Sequence, residues 1–150
     1  MSENAAERTF RKGMVALQAG EIVTALAHFE SAIRIEQRRG CRPAPRYLSY
    51  YGVCLAQATG RVEQARDACE RAVAEEFYNP DLLLNLGRVC LQADDRAAAH
   101  RAFRTGLKLQ ANHRGLRQAL QAMGIRRRPP VGFLGRSHPV NRMLGRFSAP

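Results

Sequence analysis

Three stretches of the chain, ALAHFESA at residues 25–32, ARDACERA at 65–72 and AHRAFRTG at 99–106, share one pattern of residue sizes. In each, a small residue is followed four positions later by a larger apolar one and three positions after that by another small one. The stretches begin 40 and 34 residues apart, and Gly20, Gly60 and Asp94 each precede one of them by five residues. This periodicity predicts stacked helix pairs, because small residues let a partner helix approach and the large residue fills the wedge between neighbouring pairs.

Start and stop patterns place seven helices around these stretches. We expect a first helix after an N-cap at Ser2 to about residue 19, then helices at about 21–38, 45–59, 61–76, 80–92 and 95–110, and a last one between Asn112 and Gly124. The third pair has the clearest start, since Asn79 suits an N-cap, Pro80 the first helical position and Asp81 the positive end of the helix dipole.

Two further segments complete this organisation. Residues 39–44 contain Gly and Pro and supply the six extra residues of the first interval, so they are predicted to form a loop. In the last helix Leu116, Leu120 and Met123 share one face, which suits a helix that covers the end of a stack.

With these residues the chain resembles the tetratricopeptide-repeat (TPR) family, as a small bacterial three-repeat member. The third repeat matches the family through Asn79-Pro80, Leu86-Gly87, Ala99 and Phe103, and the first through Gly13, Gly20, Ala25, Phe29 and Ala32. The second departs from the pattern, since Gly52 lies one residue away from the expected phase, which Val53 occupies, and Cys69 replaces the aromatic residue. The resemblance covers about residues 5–111.

The resemblance implies an all-α fold, a right-handed α-α superhelix of three helix-turn-helix repeats with a C-terminal capping helix. We expect residues 1–124 to form this solenoid and residues 125–150 to form a basic tail that contains Pro and Gly. The length of 150 residues allows one core, and the composition, 45% hydrophobic and 25% charged, is that of a globular chain.

Neither a membrane span nor a signal-peptide core is recognisable, and a cytoplasmic location is expected. The four cysteines show no metal-binding spacing, and three of them lie on apolar helix faces, so they are expected to be free thiols. The four histidines (His28, His100, His113 and His138) are scattered without a nucleophile or carboxylate at a motif spacing and are expected on the surface. We therefore expect no enzyme activity, no cofactor, no metal and no small-molecule substrate.

The charge of the chain is lopsided. Residues 1–95 hold 12 basic and 13 acidic side chains, whereas residues 96–150 hold 12 basic ones and no acid. The tail contributes six arginines to this surplus: Arg126, Arg127, Arg128, Arg136, Arg142 and Arg146. They would bind nucleic acid, an anionic membrane or an acidic protein, or remain solvated while the apolar tail residues fold back along the solenoid.

In the TPR family the first helix of each repeat lines a concave groove that holds a peptide. The positions that the repeat alignment places there are Phe10, Met14, Leu17, Tyr47, Tyr50, Gln57, Leu84, Arg88 and Leu91. The alternative is that Phe10, Leu17, Leu84 and Leu91 simply pack between helices, an alternative that is weaker for Tyr50 and Arg88. Capture of a peptide carboxylate by Lys and Asn, known in the family, is not expected, because only Asn85 matches that pattern.

The function predicted from the sequence is therefore that of a non-catalytic adaptor or scaffold whose groove binds a peptide segment of another protein. Type III secretion chaperones, of similar size and with three such repeats, are a minor variant of this interpretation. The alternative is binding of nucleic acid or of an anionic surface by the basic C-terminal third.

Overall fold

A computed structural model describes residues 4–124 of the chain. Within this range the chain forms seven α-helices and no strand: α1 (Ala5–Gln18), α2 (Ile22–Arg38), α3 (Pro45–Thr59), α4 (Val62–Glu75), α5 (Pro80–Gln92), α6 (Arg96–Leu109) and α7 (Arg114–Ala122). Consecutive helices pack as the pairs α1–α2, α3–α4 and α5–α6, with α7 against the last pair. The predicted all-α repeat fold, and the loop at residues 39–44, are confirmed. The expected tail, residues 125–150, lies outside the described residues.

Side-chain hydrogen bonds cap the starts of four of the seven described helices, α1, α5, α6 and α7. The capping residues of α1 and α7 differ from those predicted. Helix α1 is capped by Asn4, whose side chain accepts a hydrogen bond from the Ala6 N–H, and not by Ser2, which precedes the described residues. Helix α7 is capped by His113, whose Nδ1 accepts from the Leu116 N–H at 3.2 Å. The prediction had placed this start at Asn112. Asn79 and Pro80 begin α5 as predicted.

The repeated small residues let the two helices of each pair approach closely. Ala25 and Phe29 of α2 are completely buried, as are Ala99 and Phe103 of α6. A Cβ atom on Gly13 would lie 2.5 Å from the Phe29 ring, so only glycine fits opposite that ring. Burial of each phenylalanine contributes about 1.5–3 kcal/mol to folding.

The second pair makes the same close approach with a shifted residue. A Cβ on Gly52 would lie 2.7 Å from both the Cys69 Sγ and the Ala65 carbonyl oxygen, so Gly52 is the close-approach residue despite its offset. The turn after α3 also differs, because Gly60 (φ 71°) donates to the Ala56 carbonyl in a single-bond cap. In the other pairs two backbone hydrogen bonds close the turn. In the third pair, for example, the backbone N–H groups of Asp94 and Asp95 donate to the carbonyl oxygens of Leu91 and Cys90. The offset of Gly52 therefore coincides with a different ending of α3.

The helices form two layers. Helices α3 and α5 pack directly on each other, as do α5 and α7, whereas the main contacts of α2, α4 and α6 are with odd-numbered helices. A stack whose odd-numbered helices lie closer together curves toward them. We call the surface of α1, α3 and α5 the inner face, and that of α2, α4 and α6 the outer face.

The end of the stack formed by α1 carries polar residues at positions that are apolar in a later repeat. Taking Gly13, Gly52 and Gly87 as equivalent, Arg8 and Lys12 of α1 correspond to Leu82 and Leu86 of α5. Arg8 and Lys12 are exposed, whereas Leu82 is buried and Leu86 is half-buried. At the other end α7 buries Leu116 and exposes Arg114 and Arg117. Within residues 4–124, none of the helices combines the length and apolar character that crossing a bilayer requires.

Candidate functional site

The inner face is built from polar links between successive odd-numbered helices. Between α1 and α3, the Tyr47 hydroxyl donates to the Glu7 carboxylate at 2.8 Å. Between α3 and α5, the Asn85 amide donates to the Ser49 hydroxyl at 3.0 Å, and both side chains are fully buried. Between α5 and α7, the His113 Nε2 lies 2.9 Å from an Asp81 carboxylate oxygen. Each joint of the inner layer is therefore held by a specific hydrogen bond.

Three of the predicted groove residues belong to the core. Phe10 is 6% exposed, Tyr47 3% and Leu84 6%. The rings of Phe10 and Tyr47 stack at a centroid distance of 4.8 Å between α1 and α3. Leu84 is covered by α7, since a Cβ on Gly115 would lie 2.7 Å from its Cδ2. Phe10 and Leu84 therefore pack between helices, which was the alternative to a position in the groove. Tyr47 is buried between helices as well.

The other six predicted residues reach the surface. Met14, Leu17, Tyr50 and Leu91 are half-buried and Gln57 and Arg88 are exposed. Each of α1, α3 and α5 contributes two of them, so the inner face carries apolar side chains that are only partly covered by their own chain. Such surface at a concave face is typical of a protein-binding site.

Tyr50 stands at the middle of this surface and joins its apolar and polar halves. Its ring lies 5.8 Å from the ring of Phe10 and 5.8 Å from that of Phe29. Burial raises the pKa of its hydroxyl, as does the Asp81 carboxylate, whereas Arg88 and Asn85 lower it. The hydroxyl of Tyr50 therefore faces α5, while its ring belongs to the core between α1 and α3.

Arg88 is the cation of this surface. It is exposed and forms no ion pair with any residue between 4 and 124. By contrast, Arg46 at the start of α3 pairs with Glu7 and lies 5.2 Å from the centroid of the Phe10 ring. Arg88 is thus available to a ligand, whereas Arg46 is committed to the joint between α1 and α3.

The basic tail cannot be placed. Arg126, Arg127, Arg128, Arg136, Arg142 and Arg146 all lie outside the described residues. Arg96 on α6 is half-buried and donates to the Met123 carbonyl. The other described cations of α6 and α7 are exposed: Arg101, Arg104, Lys108, Arg114 and Arg117.

Two features of the site were not predicted. His113 was expected to be a surface residue, yet it caps α7 and bonds α5, with a side chain that is only 15% exposed. The buried Ser49–Asn85 pair was also missed, because neither residue stands out in a helical pattern. A polar residue at a core position of two consecutive repeats is the pattern that would have indicated it.

Within residues 4–124, potential metal ligands do not cluster and three of the four cysteines are buried. No three His, Cys, Asp or Glu side chains between residues 4 and 124 lie together in a way that would hold a metal ion. Cys54, Cys69 and Cys90 are buried and Cys41 is exposed, all as free thiols. Burial raises the pKa of Cys54 to about 11 and that of Cys69 to about 12, so at neutral pH both stay protonated and unreactive.

Comparison with known structures identifies the fold as that of TPR domains. The TPR domain of Arabidopsis OM64 is 18% identical over 80% of this chain and 94% of its own, with a TM-score of 0.65. The first TPR domain of Spaghetti (RPAP3), bound to the HSP90 peptide SRMEEVD, is 16% identical over 80% of this chain and 94% of its own, with a TM-score of 0.61. PcrH of Pseudomonas aeruginosa, in complex with the chaperone binding region of PopB, is 22% identical over 83% of this chain and 95% of its own, with a TM-score of 0.61. No model of a known protein family matches the sequence, and the comparison with curated proteins finds no match.

Proposed function

We propose that this protein is a non-catalytic adaptor that binds a peptide segment of another protein on its inner face. The observation that carries the proposal is the combination on that face of partly covered apolar side chains with an arginine that forms no ion pair within residues 4–124. Met14, Leu17, Tyr50 and Leu91 offer apolar contact, and Arg88 offers a charge-assisted hydrogen bond to a carboxylate or carbonyl of the peptide. Two proteins of the same fold, RPAP3 and PcrH, are bound to peptide segments, which supports this use of the fold.

The binding surface in this proposal excludes the three buried positions. Substitution of Phe10, Tyr47 or Leu84 would lower stability by opening the core, and any loss of binding would then have two causes. The informative variant is Arg88→Glu, whereas Tyr50→Ala also removes ring contacts with Phe10 and Phe29 and is interpreted beside its urea denaturation curve. Arg88 is exposed, so Arg88→Glu tests the surface with little effect on the core, whereas Tyr50 is half-buried.

The experiment is affinity capture of partner proteins from a lysate of the source cells, followed by mass spectrometry. Arg88→Glu should reduce capture of the same partner at least about tenfold, and Tyr50→Ala likewise, while the circular dichroism of both variants stays helical. Arg104→Glu on α6 is the matched control, since Arg104 is also exposed and also without an ion pair within residues 4–124. Equal loss from Arg88→Glu and Arg104→Glu would contradict a specific role for the inner face.

One observation favours the second candidate function, binding of nucleic acid or another polyanion by the basic C-terminal third. The five exposed cations of α6 and α7 form no ion pair within the described residues, and no acid occurs between residues 96 and 150. Binding of single-stranded nucleic acid would then weaken steeply with salt, by about 0.7 in the logarithmic slope for each phosphate neutralised. Deletion of residues 125–150 should reduce that slope, and absence of binding at low salt would exclude this function.

The cytoplasm is the location we propose. Four free thiols, one of them the exposed Cys41, suit a reducing compartment.

A further inference from the structure

A pocket opens on the outer face, between α4 and α6. Its volume is about 220 Å³. Leu83, Leu86 and Cys90 of α5 form its floor, Arg66 and Glu70 of α4 one wall and Arg101 of α6 part of the other. It lies on the opposite layer from Tyr50 and Arg88, so it does not belong to the peptide site proposed above.

The pocket exists because the sequence departs from the repeat at three positions. Leu26 of α2 corresponds to Arg66 of α4, by the same interval of 40 residues that separates Ala25 from Ala65. Tyr51 and Leu55 of α3 correspond to Leu86 and Cys90 of α5, by the interval of 35 that separates Gly52 from Gly87.

In the first groove the larger residues fill the space between the helices. Leu26 and Tyr51 pack against the buried cluster that contains Leu55, a cluster that Leu86 of α5 also reaches. In the second groove a leucine replaces the tyrosine, a cysteine replaces the leucine, and an arginine replaces the apolar residue of the wall. The second groove therefore lacks the side chains that close the first.

Hydrogen bonds hold the new arginine away from the opening. The Arg66 Nε donates to Glu70 at 2.8 Å, and its Nη1 donates to Asp95 at 3.1 Å. Asp95 also accepts from the Ala98 N–H at 2.9 Å, so its carboxylate is used twice by its own chain. Arg66 thus pairs with two carboxylates, and its guanidinium is committed to its own chain.

Arg101 is the second cation of the pocket. The hydrogen bonds from the Ala98 N–H and from Arg66 lower the pKa of Asp95, and the charge of Arg101 adds to them. Arg101 is exposed and forms no ion pair with another described residue. An exposed cation that forms no ion pair within residues 4–124, beside an apolar floor, matches an apolar side chain that has a carboxylate next to it. The Glu70 carboxylate on the opposite wall disfavours a polyanion such as nucleic acid.

We propose that this pocket is a second docking site, which takes one large apolar side chain of a partner protein and pairs Arg101 with an adjacent Asp or Glu of the same segment. A cavity of roughly 150 Å³ accommodates a benzene ring, so this pocket admits a side chain the size of leucine, methionine or phenylalanine. Because the site lies on the outer face, a partner there and a peptide on the inner face bind at the same time.

The experiment is a selection of random peptides displayed on phage against the immobilised full-length protein, repeated on four substitution variants and on a chain that lacks residues 125–150. Leu86→Tyr restores the residue of the first groove and fills the pocket, with Leu86→Met as its volume-conserving control. Arg101→Glu reverses the unpaired charge at the surface, with Arg104→Glu as its control on the same helix. Circular dichroism and urea denaturation establish that each variant is folded.

Wild type and both controls should enrich peptides in which Leu, Met, Ile or Phe adjoins an acid. Leu86→Tyr should lower their recovery at least about tenfold, and Arg101→Glu should enrich Lys or Arg in place of the acid. These outcomes do not depend on Tyr50 or Arg88, so failure of this proposal is separate from failure of the inner-face site.

Three results would overturn the proposal. One is recovery of the same peptides on wild type and on Leu86→Tyr. Another is enrichment that Arg101→Glu leaves unchanged. The third is enrichment that appears only after deletion of residues 125–150, since the chain's own segment would then be the occupant of the pocket.

Discussion

Substitution of Gly87 by alanine tests the close approach on which the stack depends. A Cβ at this position would lie 2.2 Å from Cε1 and 2.6 Å from Cδ1 of Phe103, where ordinary contact begins at about 3.4 Å. The ring has no room to retreat, because Phe103 is completely buried. Overpacking of this kind costs typically about 1–3 kcal/mol, whereas the better helix propensity of alanine returns about 1 kcal/mol. The difference is a net loss of up to about 2 kcal/mol in the free energy of unfolding of Gly87→Ala.

A double-mutant cycle separates the clash from other effects. Phe103→Leu removes the atoms that the new methyl group would meet, so the double variant should be at least about 1 kcal/mol more stable than the sum of the single effects predicts. Urea denaturation followed by circular dichroism measures all four proteins. Strict additivity, or stabilisation by Gly87→Ala alone, would refute the reasoning. Gly52→Ala with Cys69→Ala is the contrasting cycle, because the Ala65 carbonyl still obstructs the methyl group and the coupling should be smaller.

Two further predictions concern pH and the capping helix. Burial raises the pKa of the Cys54 thiol to about 11 and that of Cys69 to about 12, from an ordinary value of 9.0. The contribution of these thiols to the free energy of unfolding is therefore complete below pH 9 and is lost as the pH rises through 11 and 12. Urea midpoints should therefore fall above pH 9, and Cys54→Ala with Cys69→Ala should flatten that fall; an unchanged pH profile would contradict the assignment. His113→Ala removes the cap of α7 and the bond to Asp81, at a cost of about 1 kcal/mol, and should speed amide hydrogen exchange in α7 while leaving α1–α4 unchanged. Uniformly faster exchange would mean that His113 supports the whole fold instead.

The fold was largely predictable because its determinants recur along the chain. Ala25 and Phe29 have counterparts at each repeat, and a recurring contact is visible in the sequence without coordinates. Gly52 shows where this approach ends. Its offset coincides with a different ending of α3, in which the Gly60 N–H makes a single capping bond, and such an ending is not evident from the sequence.

The candidate site was harder to predict than the fold. Alignment placed Phe10, Tyr47 and Leu84 on the inner face, but it could not show which side chains neighbouring helices cover. Burial there depends on contacts between repeats: Tyr47 is covered by Phe10 of the preceding repeat, and Leu84 by Gly115 of the capping helix. Met14, Leu17 and Leu91 have similar sequence surroundings but no such cover. The pocket beside Arg101 likewise becomes visible only when the two grooves are compared in space.

The polar first end of the stack has a consequence for how separate molecules meet. Stacked helix pairs are open-ended by construction, and head-to-tail joining of such units propagates into filaments rather than closing. Here Arg8 and Lys12 face outward at one end, and Arg114 and Arg117 are exposed on the helix that covers the other. If the α7 end of one molecule approached the α1 end of another, like charges would meet. These cations would be desolvated without a carboxylate partner, which costs free energy. Like charges at the two described ends therefore oppose head-to-tail joining of the stack.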